Sequence, residues 1–277
     1  MRKVLMFRHP RPRLKGQPIN KLIPNILTVL ALCAGMTAIR FGIQGKWEAA
    51  VFALMAAGVF DALDGRIARL LRGTSRFGAE LDSLSDFISF GVAPAVILYF
   101  WVMNQAGGIG WAVVLLFSVC CALRLARFNT KSGESDLPPW AYNYFTGVPA
   151  PAGAAIIVFP MVLTFEFGPG IFDRPEIAGP LIVAVSVLEV SPIPTFSFKQ
   201  FKVPHKFVLP SLVLVGLLAA SLASAPWSTC IAVMTAYLIS IPLAIRSFHK
   251  LKKAAAEIQA QGLQAVKPEP PKAGAAE

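Results

Sequence analysis

Eight long apolar stretches constrain this chain more than any other feature of its sequence. They cover roughly residues 24–43, 47–65, 83–103, 109–127, 147–165, 177–193, 207–224 and 228–246. A helix needs about 20 apolar residues to cross a hydrocarbon core about 30 Å thick, and these stretches are close to that length. They are continuous, whereas the strands of a membrane barrel alternate between apolar and polar residues. The sequence therefore predicts an all-α, polytopic transmembrane helical bundle of about eight helices.

Few charges interrupt these stretches. Charged residues make up 15% of the 277 residues and hydrophobic residues 55%, whereas a soluble domain carries about 25% charged residues. The stretch 177–193 is the weakest, because it is short and contains Glu189. Composition and pattern together indicate a membrane protein.

The positive charges gather on one side of the predicted membrane. The net charge is +11, and most lysines and arginines lie before the first helix or after the second, fourth, sixth and eighth. Only Lys46 and Arg174 fall on the opposite side, and Arg40 lies within a helix. The positive-inside rule then predicts that both termini are cytoplasmic. This placement accounts for the charge without a nucleic acid partner.

Three segments follow from this pattern. We expect a basic cytoplasmic arm over residues 1–22, a transmembrane domain over residues 23–250 and a flexible cytoplasmic tail over residues 251–277. The arm has no apolar stretch and no small-residue cleavage site, so we do not expect a cleaved signal peptide. It could contact anionic lipid headgroups or serve only to set the topology.

Four aspartates gather where the second predicted helix ends and the third begins. Asp61 and Asp64 are three residues apart, and Asp82 and Asp86 are four apart, so on helices each pair shares one face. A short cytoplasmic connector would bring the two faces together. A charge at membrane depth costs several kcal/mol unless it is paired or bound to metal. Carboxylates suit Mg²⁺ or Mn²⁺, and two such ions could clamp a diphosphate during phosphoryl transfer.

Small residues and an arginine lie among these acids. Gly65 and Ala68 would let a nucleotide or a diphosphate approach the second helix, and the forked donors of Arg69 suit phosphate. Close packing between helices is the alternative role of Gly65 and Ala68. Their position beside the carboxylates favours a ligand.

The spacing D-x2-D-G-x2-A-R-x8-G-x3-D-x3-D resembles the signature of the CDP-alcohol phosphotransferases. Its eight positions are Asp61, Asp64, Gly65, Ala68, Arg69, Gly78, Asp82 and Asp86. The resemblance implies a site for two Mg²⁺ or Mn²⁺ ions on Asp61, Asp64 and Asp82. It implies that Asp86 is the catalytic general base and also a metal contact. It further implies that Gly65, Ala68, Arg69 and Gly78 bind the CDP part of the lipid substrate.

Other segments are similar to the phosphatidylserine synthase branch of this family. They are residues 24–28, 82–94, 121–129, 145–155 and 187–199. This branch transfers the phosphatidyl group of CDP-diacylglycerol to L-serine, which gives phosphatidylserine and CMP. Glu189 departs from the resemblance, because an apolar residue such as Met is expected there.

Serine is a zwitterion, and its carboxylate needs a cationic partner. Arg124 and Arg127 near the end of the fourth helix, with Asn129 close behind, are candidates for that carboxylate or for a lipid phosphate. Setting the topology is their alternative role. Asn25 and Thr28 could cap the first helix, but the family pattern favours contacts with the CDP-lipid.

Two alternatives to serine transfer stay open. The signature does not select the acceptor, so glycerol 3-phosphate or an inositol phosphate could replace serine. Outside the family, intramembrane carboxylates could line the cation path of a secondary transporter. The resemblance also implies a homodimer. We expect the protein in the bacterial cytoplasmic (inner) membrane, surrounded by membrane lipids, with the active site facing the cytoplasm.

Overall fold

The computed structural model describes residues 19–71, 73–131, 144–196 and 208–265, and most of these are helical. The helices are α1 (Ile19–Ile43), α2 (Trp47–Leu70), α3 (Arg76–Asp86), α4 (Ala93–Trp101), α5 (Gly107–Lys131), α6 (Ala150–Phe167), α7 (Pro175–Val190), α8 (Val208–Ser224) and α9 (Pro226–Ala265). A π-helical segment, Phe87–Val92, joins α3 to α4 without a break. With α3 to α4 counted as one helix, the described residues form eight long helices, and the prediction of an all-α bundle of about eight helices is confirmed.

Within the part of the chain that the structure describes, five helical segments are long and apolar enough to cross a membrane by length and composition. They are Leu22–Ile43, Arg76–Trp101, Met103–Thr130, Ala150–Phe167 and Pro226–Phe248. The other helices are the charged α2 and the shorter α7 and α8, which have 16 and 17 residues. These features are those of an integral membrane protein. The cytoplasmic position of the termini stays a prediction, and most of the basic arm and the end of the tail lie outside the described residues.

Two local features differ from the sequence expectation. The third span begins at Arg76, because Ser75 caps α3 by accepting a hydrogen bond of 3.0 Å from the Gly78 N–H. Gly78 therefore lies in the first turn of α3. A two-stranded antiparallel sheet, β1 (Tyr144–Thr146) with β2 (Pro194–Phe196), joins the chain before α6 to the chain after α7. Strands of three residues are too short to leave a periodic pattern in the sequence.

The largest buried side chains lie in the helices from α4 to α7. Ile97, Leu98, Phe117, Ile157, Met161 and Ile182 are fully buried there. In contrast, α8 has no buried residue among those the structure describes. A helix that is apolar and exposed on all sides suits a lipid environment.

Small residues let α1 pack closely against the third span. The Ser85 hydroxyl donates to the Thr28 carbonyl at 3.1 Å, and the Ser89 hydroxyl donates to the Ala31 carbonyl at 3.3 Å. A Cβ atom at Gly35 would lie 2.9 Å from the Ser89 Cα atom. Such small residues are typical of close helix contacts in membranes. The contact positions α3 relative to α1.

Candidate active site

Three aspartates converge where α2 meets α3. One carboxylate oxygen from each of Asp61, Asp64 and Asp82 lies within 4.8 Å of the others. Asp86, one turn after Asp82, is in hydrogen-bonding contact with Asp61. Carboxylates this close repel each other unless a proton or a cation lies between them. Hard oxygen ligands are those that Mg²⁺ and Mn²⁺ prefer, so the cluster could hold divalent metal.

Asp64 is the most enclosed of these acids and has a partner on α1. Its side chain is 4% exposed, and it accepts a hydrogen bond of 2.6 Å from the Thr28 hydroxyl. The same hydroxyl lies 3.1 Å from the Pro24 carbonyl. A hydroxyl has one proton, and the shorter contact goes to the carboxylate. Thr28 therefore orients Asp64.

A cavity of about 190 Å³ opens beside the acids. The residues expected to bind the CDP part all line it, together with two of the aspartates: Asn25, Thr28, Asp64, Gly65, Ala68, Arg69, Gly78 and Asp82. Sequence reasoning missed Gly73, Thr74, Ser75 and Ala79, which also line it. A serine just before a helix is a typical N-cap, and this signal could have identified Ser75.

The two glycines of the signature, Gly65 and Gly78, occupy their positions for different structural reasons. A Cβ atom at Gly78 would lie 2.8 Å from Asn25 Oδ1 and 3.1 Å from Ser75 Oγ, so packing explains this glycine. A Cβ atom at Gly65 would meet the Arg69 Nη1 atom at 3.9 Å, which is an ordinary contact. Packing of the described residues therefore does not require a glycine at position 65. The space in front of Gly65 is open to a ligand.

Two of the acceptor candidates on α5 contact other helices. The Arg127 guanidinium donates to the Val190 carbonyl at 2.7 Å and to the Ser191 carbonyl at 3.4 Å. These contacts satisfy carbonyls at the end of α7. The Asn129 side-chain amide donates to the Ser83 hydroxyl on α3 at 2.9 Å. Both residues therefore tie α5 to its neighbours.

Arg124 lies in a different environment from Arg127. Its guanidinium is close enough to Asp86 and to Glu189 to interact electrostatically with both. Its Nε atom is buried without a hydrogen-bond partner among the described residues. The charge of Arg124 therefore interacts with the general base that the signature implies.

Comparison with known proteins identifies the family. Residues 21–190 match the family model of the CDP-alcohol phosphatidyltransferases. The chain belongs to the CDP-alcohol phosphatidyltransferase family. It is 38% identical over 227 residues to the CDP-diacylglycerol–serine O-phosphatidyltransferase of Mycobacterium tuberculosis, which covers 82% of this chain and 79% of that protein. The Helicobacter pylori protein of the same name is 39% identical over 204 residues, with 72% and 83% covered.

More distant relatives extend the comparison. The archaetidylserine synthase of Methanothermobacter thermautotrophicus is 36% identical over 176 residues, which cover 62% of this chain and 68% of that protein. Residues 206–242 also match a second family model, CDP-alcohol phosphatidyltransferase 2. The resemblance that was expected from the signature and the branch segments is therefore confirmed.

An apolar cavity of about 460 Å³ lies near the acids of this phosphatidyltransferase. Gly58 and Phe90 line it, and they lie about one helical turn from Asp61 and Asp86. The rest of its wall comes largely from apolar side chains of α2, α6, α8 and α9. The structure thus contains a polar cavity and an apolar cavity close to one set of carboxylates.

Proposed function

We propose that this protein transfers the phosphatidyl group from CDP-diacylglycerol to the hydroxyl of L-serine and releases phosphatidylserine and CMP. The observation that carries the proposal is the convergence of the aspartates beside a cavity lined by the other signature residues. Serine is favoured as the acceptor because bacterial and archaeal relatives at 36–39% identity are named for serine transfer or archaetidylserine synthesis.

The two cavities suit the two parts of the lipid substrate. In this proposal the CDP group occupies the polar cavity, where Arg69 pairs with the diphosphate and Gly65 and Ala68 allow its close approach. Asn25, Thr28 and Gly78 line the same cavity. The acyl chains occupy the apolar cavity, which supports lateral entry of the lipid from the membrane.

The carboxylates have two roles in the proposed mechanism. Asp61, Asp64 and Asp82, with Asp86 at their edge, would hold two Mg²⁺ or Mn²⁺ ions, whose charge would stabilise the diphosphate and the departing CMP. Asp86 accepts the proton of the serine hydroxyl, because a neutral hydroxyl is a poor nucleophile. The serine oxygen forms a bond to the phosphorus that carries diacylglycerol. The bond between that phosphorus and the CMP oxygen breaks.

The charge pattern and the family resemblance support the cellular context of the proposal. The enzyme would lie in the bacterial cytoplasmic membrane as a homodimer, with its active site on the cytoplasmic side. The basic residues at the ends of α2 and α5 lie on the same side as the acids, as the positive-inside rule requires for this orientation.

The acceptor is tested with purified enzyme in detergent. CDP-diacylglycerol and Mg²⁺ or Mn²⁺ are supplied with radiolabelled serine, glycerol 3-phosphate or inositol phosphate in separate reactions. We expect label in lipid with serine, and one CMP released for each lipid formed. Success of another alcohol together with failure of serine would overturn the serine assignment. Release of CMP without a sealed compartment distinguishes an enzyme from a transporter.

The base is tested with Asp86→Asn. This change should abolish turnover and largely preserve folding and binding of CDP-diacylglycerol, because the amide keeps the shape but cannot take the proton. The matched control is Asp173→Asn, since Asp173 accepts a hydrogen bond from Gly170 in the connection between α6 and α7. Near-normal turnover of the Asp86 variant would remove that residue from the base role.

A further inference from the structure

A buried polar cluster lies near the acids and has no role in the mechanism as stated so far. Glu189, near the end of α7, has an exposed fraction of 0%, and neither carboxylate oxygen has a hydrogen-bond partner among the described residues. Arg124 Nε and the Tyr237 hydroxyl are also buried without a partner in the part of the chain that the structure describes. Buried carboxylates are rarely left unpaired, because desolvation is costly. The cluster therefore has unused capacity to bind a polar group.

The position of Glu189 is well defined by its neighbours. Its carboxylate lies against Gly153 of α6, where a side chain would collide with the Oε1 atom. Its carbonyl is approached by Gly147, whose positive φ of 82° suits glycine. The end of α7 is further held by Arg127, which donates to the carbonyl that follows Glu189. The carboxylate is thus held inside the bundle.

Two side chains of α5 lie near both Glu189 and Asp86. Arg124 interacts electrostatically with Glu189 and with Asp86. Cys121, one turn before Arg124, is likewise near both acids. Arg124 therefore links the Glu189 carboxylate to the group that is proposed to take the acceptor proton. An amino acid with a hydroxyl side chain needs three partners, one each for its carboxylate, its ammonium and its hydroxyl.

We propose that Arg124 and Glu189 form the acceptor subsite, in which Arg124 binds the carboxylate of serine and Glu189 binds its ammonium group. The hydroxyl then faces Asp86. This inference rests on the proposed function, and it names the residues that bind the acceptor in that function. Because the branch resemblance leads to an apolar residue at position 189, Glu189 is not required for transfer itself, and in this chain it strengthens the binding of the serine ammonium group.

The experiment compares serine with 3-hydroxypropionate, which has the same hydroxyl and carboxylate and lacks the ammonium group. The KM and kcat for serine, and the inhibition constant of 3-hydroxypropionate against serine, are measured for the wild type, Glu189→Gln and Glu189→Met. We expect the KM for serine to rise roughly tenfold to a hundredfold in both variants, as for loss of a charge-assisted hydrogen bond. The kcat should stay within about threefold and the inhibition constant within about twofold.

Two further variants separate this role from a structural one. Arg124→Gln should raise the KM for serine and the inhibition constant together, because both compounds carry the carboxylate. Glu166→Gln is the matched control. Glu166 lies at the end of α6 opposite to Gly153, and it accepts a hydrogen bond from Ser228 at 2.5 Å. It should change neither constant.

The outcomes distinguish the inference from the proposed function. Unchanged constants in the Glu189 variants, or equal changes for both compounds, would overturn the inference and leave serine transfer intact. A wild type that does not use serine would instead overturn the proposed function. If the Glu189 variants fail to fold, Gly153→Ala provides the same test. Its added methyl would displace the Glu189 carboxylate and should raise the KM for serine alone.

Discussion

Replacing Thr28 by valine should lower the apparent affinity of the enzyme for its metal without unfolding the protein. Valine has nearly the shape of threonine, so the change removes the 2.6 Å hydrogen bond to Asp64 and keeps the side-chain volume. A hydrogen bond to a charged group contributes about 1.5–3 kcal/mol, which corresponds to about 10- to 150-fold. Loss of a group that orients a metal ligand typically costs about 10- to 100-fold in metal affinity. We therefore expect the half-saturating metal concentration to rise about 10- to 100-fold.

The assay is CMP release as a function of Mg²⁺ or Mn²⁺ concentration, with CDP-diacylglycerol and serine held at saturation. Thr28→Ser keeps the hydroxyl and should restore the wild-type metal dependence. Thr37→Val is the matched control on the same helix, because the Thr37 hydroxyl donates to the Cys33 carbonyl at 2.7 Å. This control should leave the metal dependence unchanged.

Two results would refute this reasoning. If Thr28→Val keeps the wild-type metal dependence but raises the KM for CDP-diacylglycerol, then Thr28 acts by contacting the CDP-lipid. If neither constant changes, the hydrogen bond to Asp64 has no functional weight and Thr28 serves the packing of α1.

Two glycine substitutions separate ligand space from packing. Gly65→Ala should raise the KM for CDP-diacylglycerol with little change in the melting temperature, because its Cβ atom would meet the Arg69 side chain only at an ordinary distance of 3.9 Å. A melting temperature lowered by several degrees would instead assign Gly65 to packing. Gly35→Ala should lower the melting temperature, since its Cβ atom would lie 2.9 Å from the Ser89 Cα atom and overpacking costs about 1–3 kcal/mol. Unchanged thermal stability would show that α1 and the third span can separate at no cost.

The spans and the acid cluster could be predicted from the sequence because each depends on local rules. The bilayer sets the length of an apolar helix, and helical geometry places residues three or four apart on one face. The connector between α2 and α3 is short, so the end of α2 and the start of α3 lie near each other. This proximity places Asp61 and Asp64 near Asp82, but it does not set the rotation of α3 about its own axis.

The contacts of Thr28, Arg124 and Arg127 could not be predicted because they join segments that are distant in the sequence. Thr28 and Asp64 are paired across two helices. Arg124 and Arg127 are three residues apart on α5, yet Arg127 meets the end of α7 and Arg124 lies close to Asp86 and Glu189. The sequence indicates that these side chains share a region of the helix surface. It does not indicate which helix end comes to lie against each of them.

The π-helical segment shows why motif spacing alone does not place the acids. An α-helix turns about 100° per residue, so an extra residue in a π turn rotates the preceding helix relative to the following one by about that angle. Asp82 and Asp86 precede the segment Phe87–Val92, and the buried Ile97 and Leu98 of α4 follow it. If the segment were α-helical while α4 kept its packing, the face that carries the two aspartates would turn away from α2. Periodicity analysis assumes a constant turn and misses this rotation, so the meeting of the carboxylates depends on a local departure from α-helical geometry.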